Sequence, residues 1–183
     1  MQATRGTPLS STGHAEPPSF SPSRYRLLFV LVAVAAYAVD LCTKILAVAH
    51  LTPHDPVDVA GGLLRLDLVR NPGAAFSTGT SYTLILSMIA VIAAGVVVRF
   101  GSRLGDRTWA IALGMLLAGV CGNLTDRMFR GPGFLRGHVV DFLELPHWPV
   151  FNVADMLIDA AVALMIVQTW RGVGITGARH QRR

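Results

Sequence analysis

Cysteine is scarce in this chain of 183 residues, which has only Cys42 and Cys121. Both lie inside apolar segments, where a small buried side chain is the expected role. Because there is no Cys-x-x-Cys pair and no His/Cys cluster, a structural zinc site is not expected. The six histidines are scattered. Only His50 and His54 have the His-x-x-x-His spacing, and because Pro53 lies between them they do not form a helical pair, which argues against a metalloprotease. We therefore expect neither a metal ion nor another cofactor.

Charged residues are also few, at 15% of the chain, whereas 52% of the residues are apolar. With a mean hydropathy of +0.49, the chain is too apolar for an ordinary soluble domain, and its length fits one compact unit. The formal net charge is +5, but the basic residues lie mostly at the ends of apolar segments. No Lys/Arg-rich groove with interleaved aromatic residues occurs. We therefore expect no nucleic-acid partner and attribute the charge to membrane orientation.

Four apolar segments approach the ~20 residues that a helix needs to cross a bilayer. Only helices and closed barrels satisfy their backbone groups in lipid, and continuous apolar runs indicate helices. We predict membrane spans at about 27–49, 82–100, 107–127 and 153–170. They form one membrane domain at 27–171, preceded by a disordered tail at 1–26 that is rich in Ser, Thr, Pro and Gly, and followed by a basic tail at 172–183.

The first apolar segment has a second interpretation, as a cleaved signal peptide. Ala47-Val48-Ala49 resembles the small-residue cleavage site of such a peptide. However, Asp40 and Lys44 lie between the apolar segment and that site, and the total length suits a membrane span. We therefore predict a retained helix.

Arginine is unevenly distributed between the two sides of the predicted bundle. Ten arginines lie in the two tails and in the connection between the second and third spans, whereas the other two connections hold five. Because basic residues concentrate on the cytoplasmic side, we predict that both termini are cytoplasmic. The connections at 50–81 and 128–152 then face outward.

The first outer connection shows a strand pattern. Residues 64–68, Leu-Arg-Leu-Asp-Leu, alternate between apolar and polar, and they follow Val-Asp-Val at 57–59 and a Gly-Gly turn at 61–62. We predict a small antiparallel β-sheet within 50–81 and a loop at 128–152. The predicted fold class is therefore an all-α membrane protein, a four-transmembrane-helix bundle with a small extracytoplasmic antiparallel β-sheet.

Two aspartates, Asp141 and Asp155, border the last apolar segment. A charge at the bilayer centre costs roughly 2.5–3.5 kcal/mol, so such an acid is a functional candidate. Two carboxylates that share one proton can activate water. No Ser, Thr or Cys lies near a His in a nucleophile pattern, so the carboxylates are the only pair suited to general acid–base work. The alternative is that one caps a helix and the other pairs with an arginine.

Other polar residues interrupt the apolar surroundings. Asp40 and Lys44 have the i, i+4 spacing of an ion pair, which either neutralises itself or contacts a substrate. Asp126 and Arg127 form a charge pair at a helix end, or Arg127 holds a substrate carbonyl or orients a carboxylate. Gly119 and Gly122 are small residues of the kind that let membrane helices approach closely. The remaining candidates are amides and a glycine at the segment ends: Asn71, Gly73, Asn123 and Asn152.

In this order, the polar clusters resemble those of the lipoprotein signal peptidase family, also called signal peptidase II. The matching segments are Asp-Leu-Cys-Thr-Lys at 40–44, Asn-Pro-Gly-Ala-Ala-Phe at 71–76, Gly-Asn-Leu-Thr-Asp-Arg at 122–127, His-Val-Val-Asp-Phe at 138–142 and Phe-Asn-Val-Ala-Asp at 151–155. Any one of them is a weak signal. Five in this order on a four-span chain are specific, and they cover nearly all of the predicted membrane domain.

The resemblance implies an aspartyl endopeptidase of the bacterial plasma membrane that removes signal peptides from prolipoproteins, cutting on the N-terminal side of the cysteine that bears diacylglycerol. It implies that Asp141 and Asp155 are catalytic and that Asp40 and Lys44 are a supporting polar pair. The implied substrate-site residues are Asn71, Gly73, Asn123, Arg127 and Asn152. The expected partners are the diacylglyceryl-prolipoprotein and membrane lipid, and the expected state is a monomer.

From the residues alone, the main alternative is a small transporter or proton-relay protein, because intramembrane acids also line such pathways. An inverted repeat would favour it, but the two halves share no visible motif. One further acid, Asp159, lies one turn after Asp155. We expect it either to pair with a basic residue, with Lys44 as the candidate, or to be turned away from the site.

Overall fold

The computed structural model describes residues 22–73 and 80–179. Four long helices are present in this part of the chain: α1 Pro22–His50, α2 Thr80–Gly101, α3 Arg107–Phe129 and α4 Val153–Trp170. All four are long and apolar enough to cross a membrane. The predicted fold class is confirmed.

Helix α1 begins earlier than predicted, at Pro22, so residues 22–26 of the predicted tail are helical. Proline suits the first turn of a helix, because the N–H that it lacks has no partner there. The rest of that predicted tail, 1–21, lies outside the described residues. At its other end α1 continues without a break through Ala47 to His50.

Helix α3 is the centre of the bundle and packs against the other three helices. In its apolar window 44% of the residues are buried, compared with 17–22% in the other three helices. Its glycines allow the close approach that the sequence predicted. A methyl group at Gly119 would lie 2.5 Å from the Ala154 carbonyl oxygen, and one at Gly122 would collide with the Asp40 carboxylate. Both glycines therefore hold α4 and α1 close to α3.

A three-stranded antiparallel sheet lies at one end of the bundle, in the order β1-β2-β3. Its strands are β1 Val57–Val59, β2 Leu64–Asn71 and β3 Val139–Glu144. Strand β3 lies in the connection predicted as a loop at 128–152, and that prediction is wrong. Its first four residues are all buried, so the strand lacks the alternation by which β2 was found.

Two buried apolar clusters fix the ends of the bundle. One joins Ala47 near the end of α1 to the sheet through Leu68, Val140 and Phe142. The other lies at the opposite end and includes Phe29 of α1 and Trp109 of α3. These clusters set the sheet, and with it β3, against one end of the helices.

The segment after α4 folds back onto the second of these clusters. Trp109 Nε1 donates to the Val173 carbonyl at 2.8 Å, and Gly105 N donates to that of Ile175 at 2.9 Å. The described part of the predicted basic tail, up to residue 179, is therefore packed against the bundle.

Candidate active site

Asp141 lies in β3, where its Cα pairs with that of Val69 in β2, and only 2% of the residue is exposed. Both of its carboxylate oxygens accept amide hydrogens. Asn71 Nδ2 donates to Oδ2 at 2.8 Å, and Asn152 Nδ2 donates to Oδ1 at 2.6 Å. Burial raises the pKa of Asp141 to about 6; the Asp155 charge adds to this rise, whereas the two amides and Lys44 oppose it.

The orientation of the Asn71 amide follows from the local turn. Its Oδ1 accepts from the backbone N–H of Gly73 at 2.8 Å, a turn that asparagine commonly forms. The Nδ2 group is then directed at Asp141. Gly73 has a φ of 102°, which an L side chain rarely adopts. Residues 74–76 of the matching segment lie outside the described part of the chain.

Asp155 lies in the first turn of α4 and forms a capping box with Asn152. Asn152 Oδ1 accepts from the Asp155 N–H at 3.1 Å, while Asp155 Oδ2 accepts from the Asn152 N–H at 3.1 Å. Asn123 Nδ2 donates to the other oxygen, Oδ1, at 2.8 Å. The alternative in which one aspartate caps a helix is therefore true of Asp155, but the cap also places its half-buried carboxylate beside the Asp141 network.

Asn152 connects the two aspartates. Its side-chain Nδ2 group donates to Asp141 Oδ1 and, at 3.2 Å, to Asn123 Oδ1. Its side-chain Oδ1 accepts from the Asp155 N–H and so caps the start of α4. The residue is fully buried. Its Nδ2 group therefore makes two hydrogen bonds within the site.

Behind Asn123 lies a cluster of four buried or half-buried charges. The Lys44 ammonium lies 3.0 Å from Asp40 Oδ2 and 3.0 Å from Asp126 Oδ2, and it donates to Asn123 Oδ1 at 2.9 Å. Arg130 Nε also pairs with Asp126. The contact of Lys44 with Asp40 is an i, i+4 ion pair within α1.

This cluster corrects one interpretation made from the sequence. Asp126 does not pair with its neighbour Arg127; its ion pairs are with Lys44 and Arg130. Arg127 lies close enough to be influenced by the charges of Asp141 and Asp155. Its Nη1 is buried and has no hydrogen-bond partner among the residues that the structure describes. A buried donor without a partner is costly, so this nitrogen is a candidate donor to a ligand of the site.

The sequence also matches known proteins over most of its length. The profile of the family described as "Signal peptidase (SPase) II" matches residues 32–171. Lipoprotein signal peptidases of Rhodococcus jostii (strain RHA1) and Mycobacterium avium (strain 104) are similar to this chain. The first is 48% identical over 168 residues, which are 92% of this chain and 84% of the relative. The second is 49% identical over 163 residues, which are 87% of each.

The chain belongs to the signal peptidase II family. A solved structure described as a bacterial membrane enzyme is also similar, with a TM-score of 0.69 and 27% identity. That match covers 77% of this chain and 91% of the other. Membership makes this protein a membrane protease of lipoprotein signal peptide processing, with prolipoproteins as its substrate class and the bacterial plasma membrane as its location. It decides against the transporter alternative.

Within this signal peptidase, Asp159 lies on the exposed surface of α4. The proposed pairing with Lys44 is wrong, because Lys44 is 1% exposed and surrounded by Asp40, Asp126 and Asn123. Asp159 is thus placed away from the buried cluster.

Sequence reasoning missed the central role of Asp126 and Arg130. The signal was present, since the two residues have the i, i+4 spacing of a helical ion pair. It was obscured by Arg127, the immediate neighbour of Asp126, and by the prediction of a loop at 128–152, which includes Arg130. Arg130 is only 23% exposed.

Proposed function

We propose that this signal peptidase is an aspartyl endopeptidase in which Asp141 and Asp155 activate a water molecule. It cuts the diacylglyceryl-prolipoprotein on the N-terminal side of the lipidated cysteine. The observation that supports this proposal most strongly is that the two carboxylates share a hydrogen-bonding partner. One asparagine, Asn152, hydrogen-bonds to both of them within a buried network of amides.

The reaction requires that the pair hold one proton. Like charges in a buried site do not both ionise easily, so the two carboxylates titrate as a unit. The ionised member takes a proton from water as the oxygen attacks the scissile carbonyl carbon, and the protonated member donates its proton to the carbonyl oxygen. As the tetrahedral intermediate collapses and the C–N bond breaks, the carboxyl that took the proton from water gives it to the leaving amine. The other carboxylate takes a proton back from a hydroxyl of the intermediate, which becomes the new carboxylic acid, and the pair again holds one proton.

The amides around the pair hold the carboxylates in place. Asn71, Asn123 and Asn152 each donate to an aspartate, so their role in this proposal is to orient the acids. Arg127 is the residue that binds substrate, since its buried Nη1 lacks a partner in the described part of the chain. Gly73 contributes through its backbone, because its N–H holds the Asn71 side chain and a side chain at this position would collide with Leu86.

The membrane arrangement is part of the proposal. Both termini are cytoplasmic and the sheet lies on the outer face, as the arginine distribution indicates. The site is then at the outer boundary of the bilayer, and the lipid chains of the substrate remain among the helices while the peptide reaches the dyad. The proposed enzyme acts as a monomer and without a metal ion.

Two isosteric variants test the dyad. Asp141→Asn and Asp155→Asn should each abolish cleavage of a lipidated prolipoprotein, because loss of general acid–base function costs on the order of 10²–10⁴ in rate, and more when the pair acts as a unit. Asp159→Asn is the matched control, since it removes an exposed acid from the same helix, and it should retain substantial activity.

The assay is cleavage by purified enzyme in detergent or lipid, with the folded fraction measured for each variant. Near wild-type turnover by a folded Asp141→Asn or Asp155→Asn enzyme would rule out the dyad. Complete loss in a folded Asp159→Asn enzyme would show that a third acid is essential.

A further inference from the structure

Asp141 and Asp155 each follow a residue whose backbone N–H donates to a buried carboxylate outside the dyad. Val140 N donates to Asp126 Oδ2 at 3.2 Å, and Ala154 N donates to Asp40 Oδ1 at 2.8 Å. Asp40 and Asp126 are 1% and 2% exposed. One lies in α1 and the other in α3, so the strand of Asp141 and the helix of Asp155 are each held by a different element.

A single ammonium group connects these two contacts. Lys44 Nζ lies 3.0 Å from an oxygen of Asp40 and 3.0 Å from an oxygen of Asp126. Its third contact, to Asn123 Oδ1, also matters for the site. Lys44 can only donate, so the oxygen of the Asn123 amide faces it, and the Nδ2 group faces Asp155.

We propose that Lys44, Asp40 and Asp126 form an ionic clamp that sets the spacing and orientation of the two catalytic aspartates. Asp126 positions β3 through Val140, and Asp40 positions α4 through Ala154. Lys44 contacts both carboxylates and so fixes the distance between Asp40 and Asp126. This inference rests on the function proposed above for Asp141 and Asp155. All three clamp members are positioning residues, because they act through the backbone and through Asn123.

The surroundings fit a clamp more closely than an isolated helix ion pair. Arg130 pairs with Asp126, so two cations balance two anions. Lys44, Asp40 and Asp126 are buried, and buried charges require such partners. Gly122 leaves room for the Asp40 carboxylate, with which any side chain at that position would collide. A pair that served only to neutralise itself within α1 would need neither the contact with Ala154 nor the contact with Asp126.

The test removes the bridge while keeping the charges balanced. Lys44→Met alone would leave two buried anions with one cation, and the protein would be at risk of not folding. In the double variant Lys44→Met/Asp40→Asn, an amide oxygen can still accept from Ala154 N, and Asp126 keeps Arg130. The double variant Asp126→Asn/Arg130→Gln removes the ion pair between Lys44 and Asp126 and again leaves one cation and one anion, Lys44 and Asp40. Gly122→Ala leaves every charge in place and displaces only the Asp40 carboxylate.

Tyr37→Phe is the matched control. The Tyr37 hydroxyl lies 2.9 Å from Thr125 Oγ1, so it also joins α1 to α3 by a polar contact, but it does not touch the clamp. Melting temperature, kcat and KM are measured for all four enzymes and for the wild type.

The clamp predicts that kcat falls by about 10- to 100-fold in each clamp variant, since small displacements of catalytic groups have large effects on rate. KM should stay close to the wild-type value, and Tyr37→Phe should have wild-type kcat. Wild-type kcat in a folded clamp variant, a rise in KM without a fall in kcat, or an equal fall in Tyr37→Phe would each overturn the proposal. Failure of all three clamp variants to fold would overturn it as well, because the cluster would then be needed for folding itself.

Asp141→Asn is assayed in parallel to separate the two proposals. An inactive Asp141→Asn enzyme together with fully active clamp variants contradicts the clamp alone. An active Asp141→Asn enzyme contradicts the dyad, on which the clamp depends.

Discussion

The pH dependence of the reaction should respond to the loss of one hydrogen bond, that between Asn71 and Asp141. Burial raises the pKa of Asp141 to about 6, and the Asn71 amide is the first of the groups that oppose this rise. The amide donates to the carboxylate at 2.8 Å, so it stabilises the ionised form. Asn71→Ala removes that donor and should raise the pKa further.

The magnitude follows from the geometry. A hydrogen bond to a charged acceptor contributes about 1.5–3 kcal/mol, and Asn71 is half-buried, so water partly replaces its donor in the variant. We therefore take the low end, about 1.5 kcal/mol, which corresponds to a change of roughly tenfold in the proton dissociation constant. The active pair holds one proton and loses it as the pH rises. The alkaline limb of kcat/KM, which reports the free enzyme, should move from about pH 6 upward by about one pH unit.

The assay is kcat/KM for a lipidated prolipoprotein substrate across the pH range in which the enzyme stays folded. Thr83→Val is the matched control, because Thr83 Oγ1 donates to the Pro72 carbonyl at 2.6 Å and so holds the same turn without touching the carboxylate. Its limb should stay at the wild-type position. A downward movement in Asn71→Ala, or an unchanged limb in an active enzyme, would refute the assignment of Asp141 to the titrating pair.

Two further predictions concern the contact of Arg127 with the substrate and the orientation of the protein in the membrane. Arg127→Ala should raise KM or lower kcat/KM far more than Arg136→Ala. The reason is that Arg127 has a buried donor without a partner in the described chain, whereas Arg136 is exposed. Equal effects of the two variants would indicate an unspecific basic patch. A reporter that works only outside the cytoplasm should be active when fused near Pro146 and silent near Gly105, and the opposite pattern would reverse the proposed topology.

The sequence was sufficient to predict the helices because each is a long apolar run with few interruptions. It also singled out Asp141 and Asp155 as candidates, since a carboxylate beside such a run has few structural explanations, and the structure joins both to Asn152. Strand β3 was missed for a physical reason: a strand buried on both faces has no alternation, and at six residues it is too short to be assigned by hydropathy.

The partners of charged residues were the least predictable feature. Adjacent residues such as Asp126 and Arg127 suggest a pair in sequence, but on a helix they point in different directions, whereas Arg130 lies on the same face as Asp126. The contact of Asp126 with Lys44 joins α3 to α1. No local pattern encodes such a contact, because it depends on how the helices pack.

The arrangement of charges explains why asparagines, and not arginines or lysines, touch the dyad. A cation bound directly to Asp141 would favour its ionised form and would remove the proton that the pair must share. Amides supply directed hydrogen bonds at a smaller electrostatic cost. The formal charges of Lys44, Arg130, Asp40 and Asp126 cancel within their own cluster. Arg127 is then balanced by the dyad when the dyad holds one proton, so the buried site is electrically neutral in the protonation state that the proposed reaction requires.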